Sequence, residues 1–151
     1  MKKRLFAALC LVLCILLAFS GCSGGGSNKE TTTEPAAIDV DLTQLSSTMV
    51  YSEVYNMMTT PADYEGKIIK MKGPMSVLNA SDTGLTYYSV IISDATACCQ
   101  QGVEFVWVDH EDSDYPPQGT EVTVTGKFET YYEGENMFVH LVSNDVEFTA
   151  A

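Results

Sequence analysis

Residues 66–73 read Gly-Lys-Ile-Ile-Lys-Met-Lys-Gly, in which Ile69 and Met71 alternate with lysines. This period of two predicts a β-strand with one polar face. Residues 119–126 read Gly-Thr-Glu-Val-Thr-Val-Thr-Gly and repeat the same spacing between two glycines. Because glycine weakens a strand unless it marks a bulge or a sharp bend, Gly73 and Gly126 predict bends within two strands. Small β-barrels need such bends at their corners.

Further strands and one helix are predicted around these two segments. The helix, Val50–Thr60, has apolar residues at helical spacing, with Ser52 as its cap and Pro61 after its end. The predicted strands are Lys67–Gly73, Leu85–Ser93, Val103–Val108, Thr120–Tyr132 and Asn136–Val142, with Val146–Phe148 as an extra edge. Five such strands resemble an OB-fold, a Greek-key barrel. The predicted fold class is mainly β, a small five-stranded OB-like barrel with a short N-terminal helix; an open β-sandwich fragment fits the short length less well.

The N-terminus has the organisation of a secretory signal. Three basic residues precede an unbroken apolar run over residues 5–19, and two small residues, Ser20 and Gly21, follow it. A charged start, an apolar stretch and a small-residue cleavage site predict a cleaved signal peptide over residues 1–21. The alternative is a single uncleaved anchor helix. It fits less well because the run is shorter than the roughly 20 apolar residues that span a bilayer.

Residues 18–22, Ala-Phe-Ser-Gly-Cys, resemble the lipobox of bacterial lipoproteins. The resemblance implies that Cys22 is lipidated and becomes the first residue after cleavage, although Phe19 replaces the aliphatic residue usual there. Residues 22–37 are rich in Gly, Ser and Thr, which predicts a flexible tether. Residues 38–151 then form one domain. The predicted location is extracytoplasmic, on the cell membrane or the outer membrane, with the membrane contacted through the lipid anchor.

The charge of the chain is concentrated after the signal. Five basic residues face 20 acidic ones beyond residue 21, a net charge of −15. Nucleic-acid binding depends on Lys and Arg that neutralise phosphates, so an acidic surface of this kind argues against nucleic acid as a partner. Solubility is the simplest explanation of the charge.

Three stretches of the domain carry a second resemblance. They are residues 61–67 (Pro-Ala-Asp-Tyr-Glu-Gly-Lys), residues 93–105 (Ser-Asp-Ala-Thr-Ala-Cys-Cys-Gln-Gln-Gly-Val-Glu-Phe) and residues 115–119 (Tyr-Pro-Pro-Gln-Gly). They resemble OB-like lipoproteins whose activity is unassigned and, more weakly, the C-terminal domain of YcgQ-type permease-associated proteins. The resemblance implies an OB-like domain in the cell envelope and implies no particular activity.

Only two of the five cysteines belong to the domain, because Cys10 and Cys14 lie in the signal and Cys22 in the lipobox. Cys98 and Cys99 have three interpretations. They are small apolar residues at a barrel end, or a redox pair whose disulfide would be strained and easily reduced, or zinc ligands. Zinc would need two further ligands, for which the candidates are Asp94, Asp109, His110 and His140.

An aromatic set follows the predicted second to fourth strands. OB-folds bind ligands by stacking them on exposed aromatic side chains of the second and third strands and the adjacent loops. The candidate stacking residues are Tyr87, Trp107, Tyr131 and Tyr132. Core packing is the competing explanation for at least half of the aromatic set, which also includes Tyr88. Tyr131 and Tyr132 precede a hairpin turn at Gly134, where full burial is least expected.

Residues 109–114, Asp-His-Glu-Asp-Ser-Asp, concentrate four carboxylates and an imidazole. The run lacks the central glycine and closing glutamate of an EF-hand, so a solvated acidic loop is the favoured interpretation. His140 alternates with Phe138 and Val142, which favours a barrel histidine over a ligand. No nucleophile elbow, glycine-rich phosphate loop or HExxH motif is present, so the sequence does not indicate an enzyme.

Two functions are expected from these features. The first is a lipid-anchored binding or accessory module without catalysis or cofactor, which contacts a membrane-protein partner or a small ligand. The second is a zinc-handling protein of the envelope, which uses Cys98 and Cys99 together with one or both of His110 and His140. A redox function of the two cysteines is a third alternative.

Overall fold

Alternating apolar residues place one face of each strand in a common core. The computed structural model of the chain describes residues 37–81 and 83–149. The predicted signal peptide, Cys22 and the tether up to residue 36 lie outside the described residues. The strands are β1 (Val40–Asp41), β2 (Ile68–Asn79), β3 (Thr86–Ser93), β4 (Gln100–Trp107), β5 (Glu121–Glu133) and β6 (Asn136–Phe148). Within residues 37–81 and 83–149, one α-helix, α1 (Ser47–Thr59), and three short 3-10 turns accompany the strands; the turns are Leu42–Gln44, Pro61–Asp63 and Asp112–Asp114.

The five long strands form a closed ring. Strand β2 pairs with β5 over Ile68–Pro74 and then with β3 over Met75–Asn79. Strand β3 pairs with β4, β4 lies parallel to β6, and β6 is antiparallel to β5, which closes the ring. The two-residue β1 adds to β2 outside this ring. The prediction of a mainly β, five-stranded barrel-like fold with a short N-terminal helix is therefore confirmed.

The two mid-strand glycines lie where the ring bends. Gly73 stands at the point where β2 changes partner from β5 to β3, and a methyl group there would overlap the carbonyl oxygen of Ile91. Gly126 lies at a register shift between β5 and β6, and a methyl group there would lie 2.9 Å from the carbonyl oxygen of Val142. Both positions need glycine because a neighbouring backbone comes too close for a side chain.

The core fills the ring and continues beneath α1. Its largest fully buried side chains include Phe105, Phe128, Ile69, Met71 and Leu141. Helix α1 contacts β3 and β4 and buries Val54 and Met57 completely. Burial of this apolar surface is the main favourable term in the stability of the domain. None of the helices in the part of the chain described here has the length and apolar character needed to cross a membrane.

Helix α1 begins earlier than predicted. Its cap residue is Ser46, and the first helical hydrogen bond runs from the Val50 amide to the Ser46 carbonyl oxygen. Ser52, the predicted cap, lies inside the helix and donates from its hydroxyl to the Thr48 carbonyl oxygen. The prediction was wrong because several serines and threonines precede the apolar residues, and each of them is a good cap on its own.

The prediction of a separate edge after β6 was also wrong. Residues 136–148 form one strand in which Val139, Leu141 and Ser143 face inward. The register shift leaves Asn144 without a partner in the pairing, and Val146 and Phe148 then pack against the core. A bulge of this kind reverses the alternation along a strand, so the sequence pattern divides into two apparent strands. His140 accordingly lies on the outer face of β6 rather than inside the barrel.

Candidate functional site

A cleft of about 300 Å³ lies on the outer face of the ring, between the β2–β3 hairpin and the β5–β6 hairpin. Side chains at alternate positions of the strands point outward there, because the intervening residues, such as Tyr88 and Val103, are buried. The cleft is lined by Leu78, Ala80, Thr83, Tyr87, Ser89, Glu104, Tyr131, Glu133 and Phe138. The predicted OB-like fold is expected to bind ligands on this face, together with the loops that flank it.

Two tyrosine–glutamate pairs fix the polar groups of the cleft. The Tyr131 hydroxyl donates to Glu104 Oε2 at 2.5 Å, and the Tyr87 hydroxyl donates to Glu133 Oε1 at 2.7 Å. Each pair joins two strands that are distant in sequence. The pairs hold both carboxylates in position at the walls of the cleft.

Tyr131 is also the centre of an aromatic stack. Its ring lies 5.6 Å from the ring of Phe138 and 4.6 Å from the ring of His140, both in stacked orientation. Tyr131 and Phe138 are direct cross-strand partners of β5 and β6, which brings their side chains together on one face. Phe138 remains 42% exposed, so its ring presents an apolar surface to the cleft.

The environment of Glu104 disfavours its charged form. Burial raises the pKa of the Glu104 carboxyl above its ordinary value, against the opposing effects of the Tyr131 hydrogen bond and of nearby His140. Burial and the Glu104 carboxylate together raise the pKa of the Tyr131 hydroxyl. Tyr131 therefore stays protonated at neutral pH and acts as a hydrogen-bond donor.

Glu104→Gln is expected to stabilise the domain at neutral pH. Because its folded-state pKa is raised, the contribution of Glu104 to stability is lost as the pH rises through that pKa. Glutamine keeps an oxygen that accepts from Tyr131 and carries no charge. Urea unfolding should show a higher free energy of unfolding for the variant than for the wild type at pH 7. This difference should disappear below about pH 4. A variant less stable than the wild type at pH 7 would contradict this expectation.

The structure brings together two of the four predicted stacking residues. Tyr87 and Tyr131 line the cleft. Trp107 lies elsewhere, in contact with the rings of His110, Tyr115 and Phe148. Tyr132 is 68% exposed and is not part of the lining.

Sequence reasoning identified Tyr87 and Tyr131 but missed the other residues of the cleft, among them Glu104, Glu133 and Phe138. Glu104 lies between Val103 and Phe105, which are both buried. A single glutamate between two buried apolar residues of a strand indicates that its side chain points outward, away from the core. Phe138 gave no comparable signal, because β6 is apolar on both faces near it.

A second cluster lies in the loop between β3 and β4. The ligand atoms of Asp94, Cys98 and Cys99 all lie within 4.8 Å of one another. Cys98 Sγ lies 3.2 Å from Asp94 Oδ2 and 3.5 Å from Cys99 Sγ, and both thiols are free and exposed. Asp94 Oδ1 also accepts from the backbone amides of Thr96 and Cys98, which shapes the loop.

The protonation of this loop cluster follows from its hydrogen bonds. The bond from the Cys98 thiol holds the pKa of the Asp94 carboxyl below its ordinary value. The hydrogen bond with Cys98 raises the pKa of the Cys99 thiol. A metal ion would therefore have to displace the Cys99 proton, which makes any binding weaker at lower pH.

Neither predicted histidine ligand joins the loop cluster. His110 stacks on Trp107 with the ring centroids 3.6 Å apart, and His140 stacks on Tyr131. Asp109, a further candidate ligand, is not part of the cluster either. Of the four residues predicted as further ligands, only Asp94 lies close to the two cysteines.

The acidic run 109–114 has a local structural role. Residues 112–114 form a 3-10 turn, and Asp114 Oδ2 accepts from the backbone amide of Glu111 at 2.9 Å. All residues of the run are exposed.

No model of a known protein family matches the chain. A comparison with curated proteins finds no significant match.

Proposed function

We propose that this chain is a lipid-anchored, extracytoplasmic binding module whose barrel carries the ligand site. The observation that supports the proposal is the cleft between the two hairpins, which combines stacked rings with two positioned carboxylates. Concave sites with apolar walls and a few fixed polar groups are typical of ligand binding. The ligand is a small molecule or an exposed segment of a membrane-protein partner. Cys22 supplies the anchor, and the module performs no chemistry of its own.

Tyr131→Ala is expected to abolish ligand binding in the cleft, because it removes the ring between Phe138 and His140 and the donor to Glu104. A fragment survey by NMR, with chemical shifts mapped onto the barrel, measures this loss. Tyr132→Ala is the matched control, since Tyr132 is the next residue and lies outside the lining. Fragments that bind equally well to both variants would overturn the assignment of the cleft.

The anchor is tested separately from the cleft. Cys22→Ser is expected to abolish lipid attachment in cells that express the full chain, because residue 22 then has no thiol to which an acyl chain can be attached. Metabolic labelling with a fatty-acid analogue should mark the wild type and not the variant. A wild-type protein that takes up no label would remove lipidation from the proposal without affecting the ligand site.

A second candidate function is metal handling, and the cluster of Asp94, Cys98 and Cys99 favours it. Two thiolates and a carboxylate are a donor set that zinc accepts, with a fourth position open to water or a partner. The cluster is exposed at the β3–β4 loop, which suits transient delivery better than a closed structural site.

Asp94→Asn distinguishes the role of Asp94 as a metal ligand from its role in shaping the loop. The asparagine oxygen still accepts from the amides of Thr96 and Cys98, while the anionic ligand is lost. Competition with a chromogenic chelator should show zinc binding weakened by about tenfold or more in this variant and abolished in Cys98→Ser with Cys99→Ser. Untagged wild-type protein with less than about a tenth of a zinc ion per chain, unchanged by the cysteine substitutions, would exclude metal handling.

A further inference from the structure

The cleft joins negative charge with aromatic surface. Glu104 and Glu133 are both half-buried in its walls, and both are bonded to tyrosine hydroxyls rather than to a basic side chain. The four lysines within residues 37–81 and 83–149, at positions 67, 70, 72 and 127, lie on β2 and β5 or next to them and do not line the cleft. Two carboxylates thus share one small cavity whose lining contains no basic side chain; His140, which stacks on Tyr131 near Glu104, is not part of the lining.

We propose that the ligand of this cleft is an organic cation with an ammonium or guanidinium head on an apolar stem. The inference rests on the proposed binding function and specifies its ligand class. The head would be bound by Glu104 and Glu133, and the stem would lie against the rings of Tyr131 and Phe138. Charge complementarity is the first reason: a cationic head placed between two partly desolvated carboxylates is attracted more strongly than it is in water.

The aromatic walls favour the same ligand class. A cation over the face of a tyrosine or phenylalanine ring gains further attraction from the ring quadrupole. Tyr87 and Tyr131 stay protonated at neutral pH, because hydrogen bonding to Glu133 and burial respectively raise the pKa of each hydroxyl. The exposed ring of Phe138 and the side chain of Leu78 offer apolar contact to a stem.

The donor set of the cleft disfavours an inorganic cation. Glu104 and Glu133 belong to no group of three donors close enough to share one metal ion, among the residues the structure describes. Each carboxylate instead accepts a hydrogen bond from a different tyrosine of the cleft. A cation with several N–H donors reaches two separate acceptors more readily than a single ion does. The cavity volume lies at the small end of ligand sites, which suits a compact ligand.

Matched probes test the inference. Each stem (benzyl, cyclohexyl and butyl) is offered as an amine, an alcohol and a carboxylate, and binding is followed through the NMR signals of Tyr87 and Tyr131. The amines are expected to bind at least about tenfold more tightly than the alcohols, and the carboxylates not at all. A capped lysine peptide forms a further arm, because the same head group can come from a free amine or from a partner's side chain.

Glu104→Gln is expected to reduce amine affinity by about tenfold and to leave alcohol affinity unchanged, since the hydrogen bond to Tyr131 is retained. Glu135→Gln is the control. Glu135 lies in the β5–β6 turn, two residues after Glu133, and it is exposed and does not line the cleft. Equal affinity for amines and alcohols, or no amine binding at all, would overturn the cation assignment. If a neutral fragment binds the wild type and no longer binds Tyr131→Ala, the binding function is still supported. Failure of the cation proposal can therefore be distinguished from failure of the binding proposal.

Discussion

Met57→Asp is expected to unfold the domain, because it places a carboxylate where the side chain is completely buried. Met57 lies on the inner face of α1, in the same core cluster as Leu42 and Val54. Replacement of a buried methionine by a small residue costs about 2–5 kcal/mol, and an unpaired buried charge adds to this. The total is comparable with the roughly 5–15 kcal/mol that stabilise a domain of this size. Circular dichroism and urea unfolding measure the effect.

Met58→Asp provides the control for this prediction. Met58 is the next residue of α1 and is 42% exposed. The helix propensity of the two variants is the same, so the difference between them reports burial alone. Met58→Asp is expected to change the free energy of unfolding by less than about 1 kcal/mol. Similar stability of the two variants would show that α1 is not held against β3 and β4.

The fold could be predicted because its decisive features are local in sequence. The alternation around Ile69 and Met71 identifies a strand, and a glycine seven residues after another marks the bend in both β2 and β5. These patterns depend on backbone geometry and on one buried face. The extent of β2 beyond Gly73 could not be read in the same way, because its second half pairs with a different strand and has a more exposed pattern.

The cleft was harder to predict because it depends on which face each aromatic side chain occupies. Trp107 lies on the same, inward-facing side of β4 as Val103 and Phe105. Tyr131, in contrast, points outward from β5. In β6 the bulge at Asn144 and the apolar residues on both faces hide the outward position of His140. Pairings between distant strands then decide which outward side chains meet.

The loop cluster was partly predictable for a different reason. Asp94 and Cys98 are four residues apart, so a single turn is sufficient to bring them together. A contact with His110 or His140 would require the loop to meet another part of the barrel. Sequence spacing contains no information on such a contact, and the two histidines instead stack on Trp107 and Tyr131.

Gly73→Ala is expected to destabilise the domain by about 2–4 kcal/mol. The added methyl group would overlap the carbonyl oxygen of Ile91 and lie 3.1 Å from Val90 Cγ1. A backbone atom cannot move aside as a side chain can, so β2 and β3 would have to separate at the bend that closes the ring. Thermal and urea unfolding should both show the loss, and the variant should also lose part of the hydrogen-exchange protection of Met75–Asn79.

Gly102→Ala distinguishes this close approach from the general effect of adding a methyl group to a strand. Gly102 lies opposite Ile91 in β4, and its added methyl would meet Ile91 Cδ1 at 3.2 Å and Ser89 Cβ at 3.4 Å. The Ile91 side chain can rotate away, and alanine also restricts the unfolded chain, so the net change is expected to stay within about 1 kcal/mol. If the two variants lost equal stability, the bend at Gly73 would not require a glycine, and the spacing of seven between glycines would have lost its physical basis.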